Sequence, residues 1–375
     1  MIKIKLTPKV DTFLTLEEII SKSSAEIEYV YSLLKKRGKN LFNLIKEADE
    51  IRFKLVGDKV SFVVNYNINF TNYCVGSCKF CSFKNSNNSL IKGYRMDTDK
   101  FKESVEDAIK KGVSEICIQG GLDPTFTYEN YLELIKIIRR ISPTVHIHAF
   151  SPSEIAYMSH ISEENVEDVF RELKSKGLNS FPGTAAEILN DEVRKVICPE
   201  KITTQEWIDI VITGHNLGIH SSSTMMYGHI ESLLDEAKHL VILKKIQEET
   251  GMFTEFVPLP FIHHYTLLYN KYGAQPGSTG LHDLTIFSSA RVYFDSSIPN
   301  IQVSWPKLGL KFAQFSLYAG VNDLGGTLFH ENISKSAGAR YGEFTSVDDF
   351  VRIIADAGRI PVQRNTIYKE ILSYE

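Results

Sequence analysis

The chain has 375 residues, 42 Lys+Arg against 46 Asp+Glu, a formal net charge of -4 and a hydrophobic fraction of 43%. This excludes a disordered or collagen-like chain, and the charge balance leaves no basic footprint for nucleic acid. No run of about 18 apolar residues predicts a membrane span, and the opening string MIKIKLTPKV lacks the apolar core and cleavage site of a leader. A cytoplasmic location is therefore expected, where five cysteines would meet a reducing environment and would not form a disulfide framework.

Residues 14–51 carry apolar side chains at helical spacing, among them Ile27, Val30, Leu33 and Leu34, and predict two or three helices. Residues 63–70 then alternate as a strand and deliver the chain to Thr71 and Cys74. Further apolar or β-branched runs follow at 115–119, 145–150, 178–181, 218–225, 254–258, 301–305 and 317–321, making eight with the first. Amphipathic segments separate them, as at 101–111, 131–140, 164–176, 206–217 and 233–249. Strands alternating with helices predict an α/β fold with a parallel sheet, and eight repeats predict a closed (β/α)8 TIM-type barrel. An open doubly wound sheet is the competing architecture. The expected division is an N-terminal helical extension over 1–60, the barrel over 61–330 and a C-terminal extension over 331–375 packing on the barrel. Low-complexity sequence is confined to the polar stretch 85–89.

Polar clusters follow the predicted strands at 119–124, 151–154, 182–184, 227–229, 258–260, 305–307 and 322–326. In a barrel all would share the rim at the carboxyl ends of the strands, where barrel enzymes build their sites. Gly, Pro and Asp also mark plain turns, and that reading explains many of these residues.

The most specific local feature is Cys74-Val-Gly-Ser-Cys78-Lys-Phe-Cys81, on the loop after the first strand. A buried free cysteine needs apolar neighbours, and Gly76, Ser77 and Lys79 do not supply them, so metal binding is favoured. Thiolates hold zinc or iron–sulfur clusters; structural zinc closes with a fourth ligand, and no fourth Cys or His lies at ligand spacing nearby. Three thiolates on a four-iron cluster leave one iron open to substrate. Cys117, between Ile116 and Ile118, and Cys198, before Pro199, read as structural.

This spacing in this place resembles the signature of the radical S-adenosylmethionine superfamily. The resemblance implies a [4Fe-4S] cluster on Cys74, Cys78 and Cys81 that cleaves S-adenosylmethionine to a 5'-deoxyadenosyl radical. It further implies cofactor contacts from the aromatic Phe80, the glycine pair Gly120-Gly121, polar Ser151 and Glu154, and Glu187, with Lys201 a weaker carboxylate partner. Each has a local alternative: a loop anchor for Phe80, a turn for the glycines, and for Glu187 a capping box with Thr184 opening a helix over 185–195.

Longer strings, at 145–152 (VHIHAFSP), 182–189 (PGTAAEIL), 222–229 (SSTMMYGH), 253–260 (FTEFVPLP), 322–327 (NDLGGT), 331–335 (ENISK) and 361–364 (PVQR), resemble the second subunit of FO synthase. This is the 5-amino-6-(D-ribitylamino)uracil–L-tyrosine 4-hydroxyphenyl transferase family, and the resemblance covers roughly residues 60–370. Relatives in the futalosine route to menaquinone share the cluster loop and barrel, but residues 182–187 and 121–124 look more like the deazaflavin branch. Pro306 and residues 266–269, after His263-His264, depart from the pattern, and the latter could touch the substrate pocket.

The resemblance implies that the radical abstracts hydrogen from L-tyrosine, whose Cα–Cβ bond breaks. The 4-hydroxybenzyl fragment joins carbon 5 of the ribitylaminouracil, a step toward the deazaflavin chromophore of coenzyme F(420), and an imine of glyoxylate leaves. It implies an electron donor such as ferredoxin or flavodoxin and the other FO synthase subunit as a partner that closes the ring. One cysteine triad predicts the first half-reaction only. Candidate substrate residues on the rim are His229, Glu255, Arg291, Asn322, Asp323 and Glu331. His146 and His148 share one face of their strand, pointing into the site or serving as core histidines. Adjacent His263 and His264 are expected to diverge and not to pair on a metal. From a different class, the chain could be a zinc-stabilised binding protein without catalysis.

Overall fold

The computed structural model describes residues 14–85 and 92–375. The opening string and, apart from Asn85, the polar stretch 85–89 lie outside the described residues.

Among the described residues ten strands form: β1 Lys59–Val63, β2 Asn65–Ile68, β3 Glu115–Ile118, β4 His146–Ala149, β5 Ser180–Phe181, β6 His220–Tyr227, β7 Phe253–Pro260, β8 Asp323–Gly326, β9 Ile360–Arg364 and β10 Glu370–Ser373. A parallel sheet runs β2-β3-β4-β5-β6-β7, and a second runs β10-β9-β1-β8. The two are joined because β1 and β2 are consecutive halves of one strand broken at Val64. On the far side, residues 301 and 302 bridge Phe256 of β7 to Asp323 of β8. The predicted eight-membered ring is therefore closed, with the seventh strand reduced to a bridge.

Helices Thr98–Lys110, Tyr128–Ile141, Val166–Lys176, Thr204–Asn216, Leu233–Thr250 and Gly280–Phe294 alternate with the strands. Each starts at a side chain that accepts a backbone N–H of the first turn, from Asp97, Thr127, Asn165, Thr203, Ser232 and Thr279 respectively. The strands obey a period of two: Tyr66, Ile68, Ile116 and Ile118 are buried in the apolar core, while Asn65, Asn67, Glu115 and Cys117 line a cavity inside the ring. A barrel interior is ordinarily packed with branched apolar side chains. Here amides, hydroxyls and carboxylates stand among the apolar side chains at the inward positions, and they leave a chamber.

The N-terminal region forms three helices, Leu16–Lys22, Ser24–Leu34 and Lys39–Val56. The last two pack along Gly280–Phe294, and Glu26 accepts the Tyr293 hydroxyl (2.7 Å) and pairs with Lys245 (2.7 Å). Among the described residues no helix is long and apolar enough to cross a membrane.

Three expectations are corrected. The last barrel strand is not 317–321: the chain there is a turn after helix Leu310–Ser316, with Gly320 at φ +93°, and the strand begins at Asp323. A Cβ at Gly320 would lie 2.7 Å from that of Arg291, so the turn needs both the space and the backbone freedom of glycine. The first strand starts at Lys59, four residues early. The helix over 185–195 is shorter, Asp191–Ile197, and Asn190 caps it.

The C-terminal segment does more than pack on the barrel. β9 lies parallel to β1 over all five residues, and β10 folds back antiparallel on β9. Arg364 and Thr366 thereby enter the floor of the inner chamber.

Candidate active site

The cysteine loop leaves β2 and is pinned from two sides. Asp123 accepts the Thr71 hydroxyl (2.9 Å) and two nitrogens of Arg95 (2.8 and 2.6 Å), while Val75 N–H donates to the Leu122 carbonyl (2.9 Å). This close approach explains the glycine pair. A Cβ on Gly121 would lie 2.1 Å from the Tyr73 carbonyl oxygen, and one on Gly120 2.5 Å from the Phe70 ring. On the other side Lys79 N–H donates to the Ile197 carbonyl (2.8 Å), Leu268 N–H to the Lys79 carbonyl (2.8 Å) and the Ser82 hydroxyl to the Tyr265 carbonyl (2.8 Å). Residues 266–269, expected to touch a substrate pocket, brace the cysteine loop through Leu268 and line neither cavity described below.

Cys74, Cys78 and Cys81 line one cavity, the upper chamber. Gly76 sits between two of the sulfurs: a Cβ there would lie 3.4 Å from Cys74 Sγ and 3.9 Å from Cys78 Sγ. Burial pushes the Cys78 and Cys81 thiols up, and the charge of Lys201 opposes this. Among the described residues no three His, Cys, Asp or Glu side chains gather tightly enough to hold a single ion.

Phe80, Gly120, Gly121, Ser151, Glu187 and Lys201 share the wall of this chamber with the cysteines. Glu187 pairs with Lys201 at 2.6 Å, and the Lys201 ammonium lies 5.5 Å from the centre of the Phe80 ring. The segment holding Glu187 is no helix: Ala185 and Glu187 have φ of +66° and +48°, strained for residues with a Cβ. Arg194 donates to the Ala185 carbonyl (3.2 Å), and Met226 N–H to the Glu187 carbonyl (2.7 Å), holding the strain in place. The carboxylate is thus not spent on a capping box. Ser151 and Glu154 are. Ser151 caps helix Pro152–Ser162 and donates to Glu154 (2.7 Å), whose other oxygen accepts Gly120 N–H (3.0 Å). Burial pushes the Glu154 carboxyl up to about 7.

Below lies the chamber inside the barrel. His148 reaches Ser180 (2.6 Å), which also meets His146 (2.7 Å) deeper in the ring; burial lowers both histidines, His146 to about 4. Glu115 accepts from Asn65 (3.1 Å) and Thr366 (2.6 Å). Glu255 has one buried oxygen with no hydrogen-bond partner among the described residues, and burial pushes its carboxyl up to about 7 against the pull of Arg364. Gln119, Thr184, Thr224, Leu259, Lys307 and Ser334 line both chambers, so the two meet at a throat.

The chain matches the Radical SAM superfamily over residues 68–241 and the CofH/MqnC C-terminal region over 250–373. It is 48% identical over 333 residues to the 5-amino-6-(D-ribitylamino)uracil–L-tyrosine 4-hydroxyphenyl transferase of Methanopyrus kandleri, spanning 89% of this chain and 90% of that one. The chain belongs to this transferase family. The same-named protein of Methanothermobacter thermautotrophicus is 48% identical over 334 residues, 89% of this chain and 91% of its own length. The fold is that of methylornithine synthase, at TM-score 0.71 and 18% identity, covering 92% of this chain and 96% of that one. The hydrogenase maturase of Carboxydothermus hydrogenoformans also matches, at TM-score 0.69 and 14% identity, over 94% and 80% of the two chains.

Against this family background the remaining candidates separate. Glu331 lines the inner chamber. His229 does not: it is buried beside Phe261, holds the Met226 carbonyl (3.1 Å) and faces Glu231 (2.9 Å), pinning the turn after β6. Asn322 is buried below the chamber, accepting from Arg291 (2.7 Å) and Ile301 N–H (2.9 Å), and Arg291 is equally committed to backbone carbonyls. Asp323 is shielded behind Arg364 and reaches the chamber only through it. Cys117 points inward on the chamber wall, not into apolar packing, because it shares its face with Glu115 and Gln119. The rings of His263 and His264 do not diverge; their centres are 4.1 Å apart. Sequence reasoning missed Lys307 and Arg364 as cavity residues. The rim cluster 305–307 already carried the signal for Lys307, whereas Arg364 needed the unforeseen placement of β9.

Proposed function

We propose that the chain transfers the 4-hydroxybenzyl group of L-tyrosine to 5-amino-6-(D-ribitylamino)uracil, with Cys74, Cys78 and Cys81 holding its cluster. The observation that carries this reading is a pair of communicating chambers, one walled by the three cysteines and the other polar and closed below. The residues fit the cofactors implied by the superfamily, a [4Fe-4S] cluster and S-adenosylmethionine. Three thiols share one wall without converging on a single-ion site, and an aromatic ring, an acid and a base stand beside them. Bound there, the cofactors supply reductive formation of a deoxyadenosyl radical.

The chain's own residues do the rest. Phe80 offers a face for adenine, and the Glu187–Lys201 pair offers both charges to the methionyl end of S-adenosylmethionine. Ser151 and Glu154 fix the backbone at Gly120 on the same wall. The inner chamber offers amides, His148 and Glu255 to a uracil ring with a polyhydroxylated tail. The buried Arg364–Asp323 pair and β9 cover its floor, which limits the access of water to a radical.

We read residues 61–330 as the catalytic barrel, 1–60 as a helical support and 331–375 as the element completing the floor. We place the protein in the cytoplasm, with a ferredoxin- or flavodoxin-type electron donor and the other FO synthase subunit as its successor in the route. Anaerobic incubation of the iron- and sulfide-reconstituted protein with S-adenosylmethionine, reductant, tyrosine and ribitylaminouracil tests the reading. A hydroxybenzyl adduct is expected. A futalosine-type product in its place would sink it, as would a protein that takes up zinc but no iron and sulfide.

A further inference from the structure

Lys307 stands at the throat and lines both chambers. Its stem is fixed: Trp305, buried, donates its indole N–H to the Gly326 carbonyl (2.9 Å), and Lys307 N–H bonds the Ser304 carbonyl (3.1 Å) within the short helix Trp305–Leu308. The other bases on these walls have partners. Lys201 pairs with Glu187, Arg364 with Asp323, and Lys84 donates to the Gly76 carbonyl. The Lys307 ammonium has no hydrogen bond or ion pair among the described residues. Burial lowers its pKa, and the charges of Glu331 and Glu187 oppose that. A cation held this way lacks the counter-ion that would offset its desolvation.

Glu331 lines the inner chamber from the segment after β8, near enough for its charge to act on Lys307. Leu328 and Phe329, at φ +66° and +59°, turn the chain over the mouth. One Glu331 oxygen caps helix Asn332–Ser336 by accepting Ser334 N–H (2.8 Å), and the other has no partner among the described residues. A base at the passage between the two chambers and an acid on the inner chamber's wall, each with unused capacity, therefore share the inner chamber.

We propose that Lys307 and Glu331 bind the zwitterionic end of L-tyrosine, Lys307 taking the α-carboxylate and Glu331 the α-ammonium. This rests on the transferase reading and deepens it. Held so, the amino acid's Cα–Cβ bond lies at the junction of the two chambers. The zwitterion of S-adenosylmethionine has its own pair, Glu187 and Lys201, on the cysteine side.

The test uses the cluster-loaded protein, with the Michaelis constants for tyrosine, ribitylaminouracil and S-adenosylmethionine measured in wild type, Lys307→Gln, Lys307→Arg and Glu331→Gln. The amide of Glu331→Gln still accepts Ser334 N–H, so the cap survives. Lys307→Gln is expected to raise KM for tyrosine about tenfold or more, the effect of losing one charge-assisted contact, and to leave the other two constants within about twofold. Lys307→Arg restores most of the loss. Two competitors separate the charges. Inhibition by 3-(4-hydroxyphenyl)propanoate, which keeps only the carboxylate, weakens in Lys307→Gln and not in Glu331→Gln; tyramine, which keeps only the ammonium, shows the reverse. The proposal is overturned if KM for S-adenosylmethionine or ribitylaminouracil rises instead, if no constant moves, or if both competitors lose equally in each variant. Iron content and direct binding of labelled tyrosine keep the test decisive for a variant with poor turnover. A wild type that makes no hydroxybenzyl adduct condemns the transferase reading itself, whatever the variants do.

Discussion

Arg364, on the C-terminal strand β9, grips Asp323 at the start of β8 with two nitrogens, Nε to Oδ2 at 2.6 Å and Nη2 to Oδ1 at 3.0 Å. Both side chains are buried. The Ser61 hydroxyl (2.5 Å) and Gly325 N–H (2.7 Å) fill further lone pairs of the carboxylate. The floor of the chamber is thus a satisfied ion pair joining β1, β8 and β9.

Removing one member leaves the other charge buried alone. Asp323→Asn is expected to destabilise the fold by about 3–5 kcal/mol, the usual cost of breaking a buried pair. Urea unfolding of the anaerobic protein measures this, and the double replacement Asp323→Asn with Arg364→Met should recover part of the loss. A single variant as stable as wild type would show that the pair is not closed in solution.

Gly121→Ala puts a Cβ 2.1 Å from the Tyr73 carbonyl and 3.0 Å from the Cys74 Cβ. Backbone cannot yield as a side-chain end can, so the cysteine loop must shift at about 1–3 kcal/mol. The expected result is a folded protein by circular dichroism that retains less iron after reconstitution. Gly112→Ala, with open space at its Cβ but a φ of +70°, is a control for strain without the clash.

Lys201→Met removes the partner of Glu187 and the charge beside Phe80. KM for S-adenosylmethionine should rise about tenfold, one charge-assisted contact, while KM for tyrosine holds. Deoxyadenosine formation at varied cofactor concentration reads the difference. Equal losses for both substrates would contradict the division of labour between the chambers.

Glu255 ties stability to pH. Burial holds its carboxyl protonated up to about 7 in the fold, against an ordinary value of 4.5. Because the folded state keeps the proton longer, the stabilising contribution is complete below pH 4.5 and is lost as pH rises through 7, a change of about 3 kcal/mol. Glu255→Gln cannot titrate. The stability difference between wild type and this variant, followed by urea unfolding across that range, should therefore fall with pH. A flat difference would place the carboxylate in water.

The barrel, most of its strands and the cysteine loop were legible because each rests on local pattern: alternation on strands, helical spacing, and thiols at fixed intervals; the strand at Asp323–Gly326 was missed because the apolar run 317–321 imitates one. That Phe80, Glu187 and Lys201 share a wall with the cysteines could be expected only through resemblance, since nothing local distinguishes the strained backbone at Glu187 from a capping box. Asn322, Asp323 and His229 misled for a shared reason: a polar residue near a strand looks the same whether it faces the mouth or is consumed by a buried arginine or a backbone carbonyl. Arg364 was hidden because its place depends on β9 finding β1, a pairing between distant parts of the chain that no short window encodes.

That pairing also orders events during synthesis. Lys59 of β1 has Ile360 of β9 as its neighbour, so the first barrel strand must wait for about 300 further residues before its outer edge is covered. Contacts at such separation are slow to form. The cysteine loop, which leans on residues 119–123, 197, 265 and 268, can be in place before the base of the vessel exists. A ribosome-bound intermediate would then present a thiol site ready for iron above an interior still open to water, and delivery of the cluster need not await the last strand.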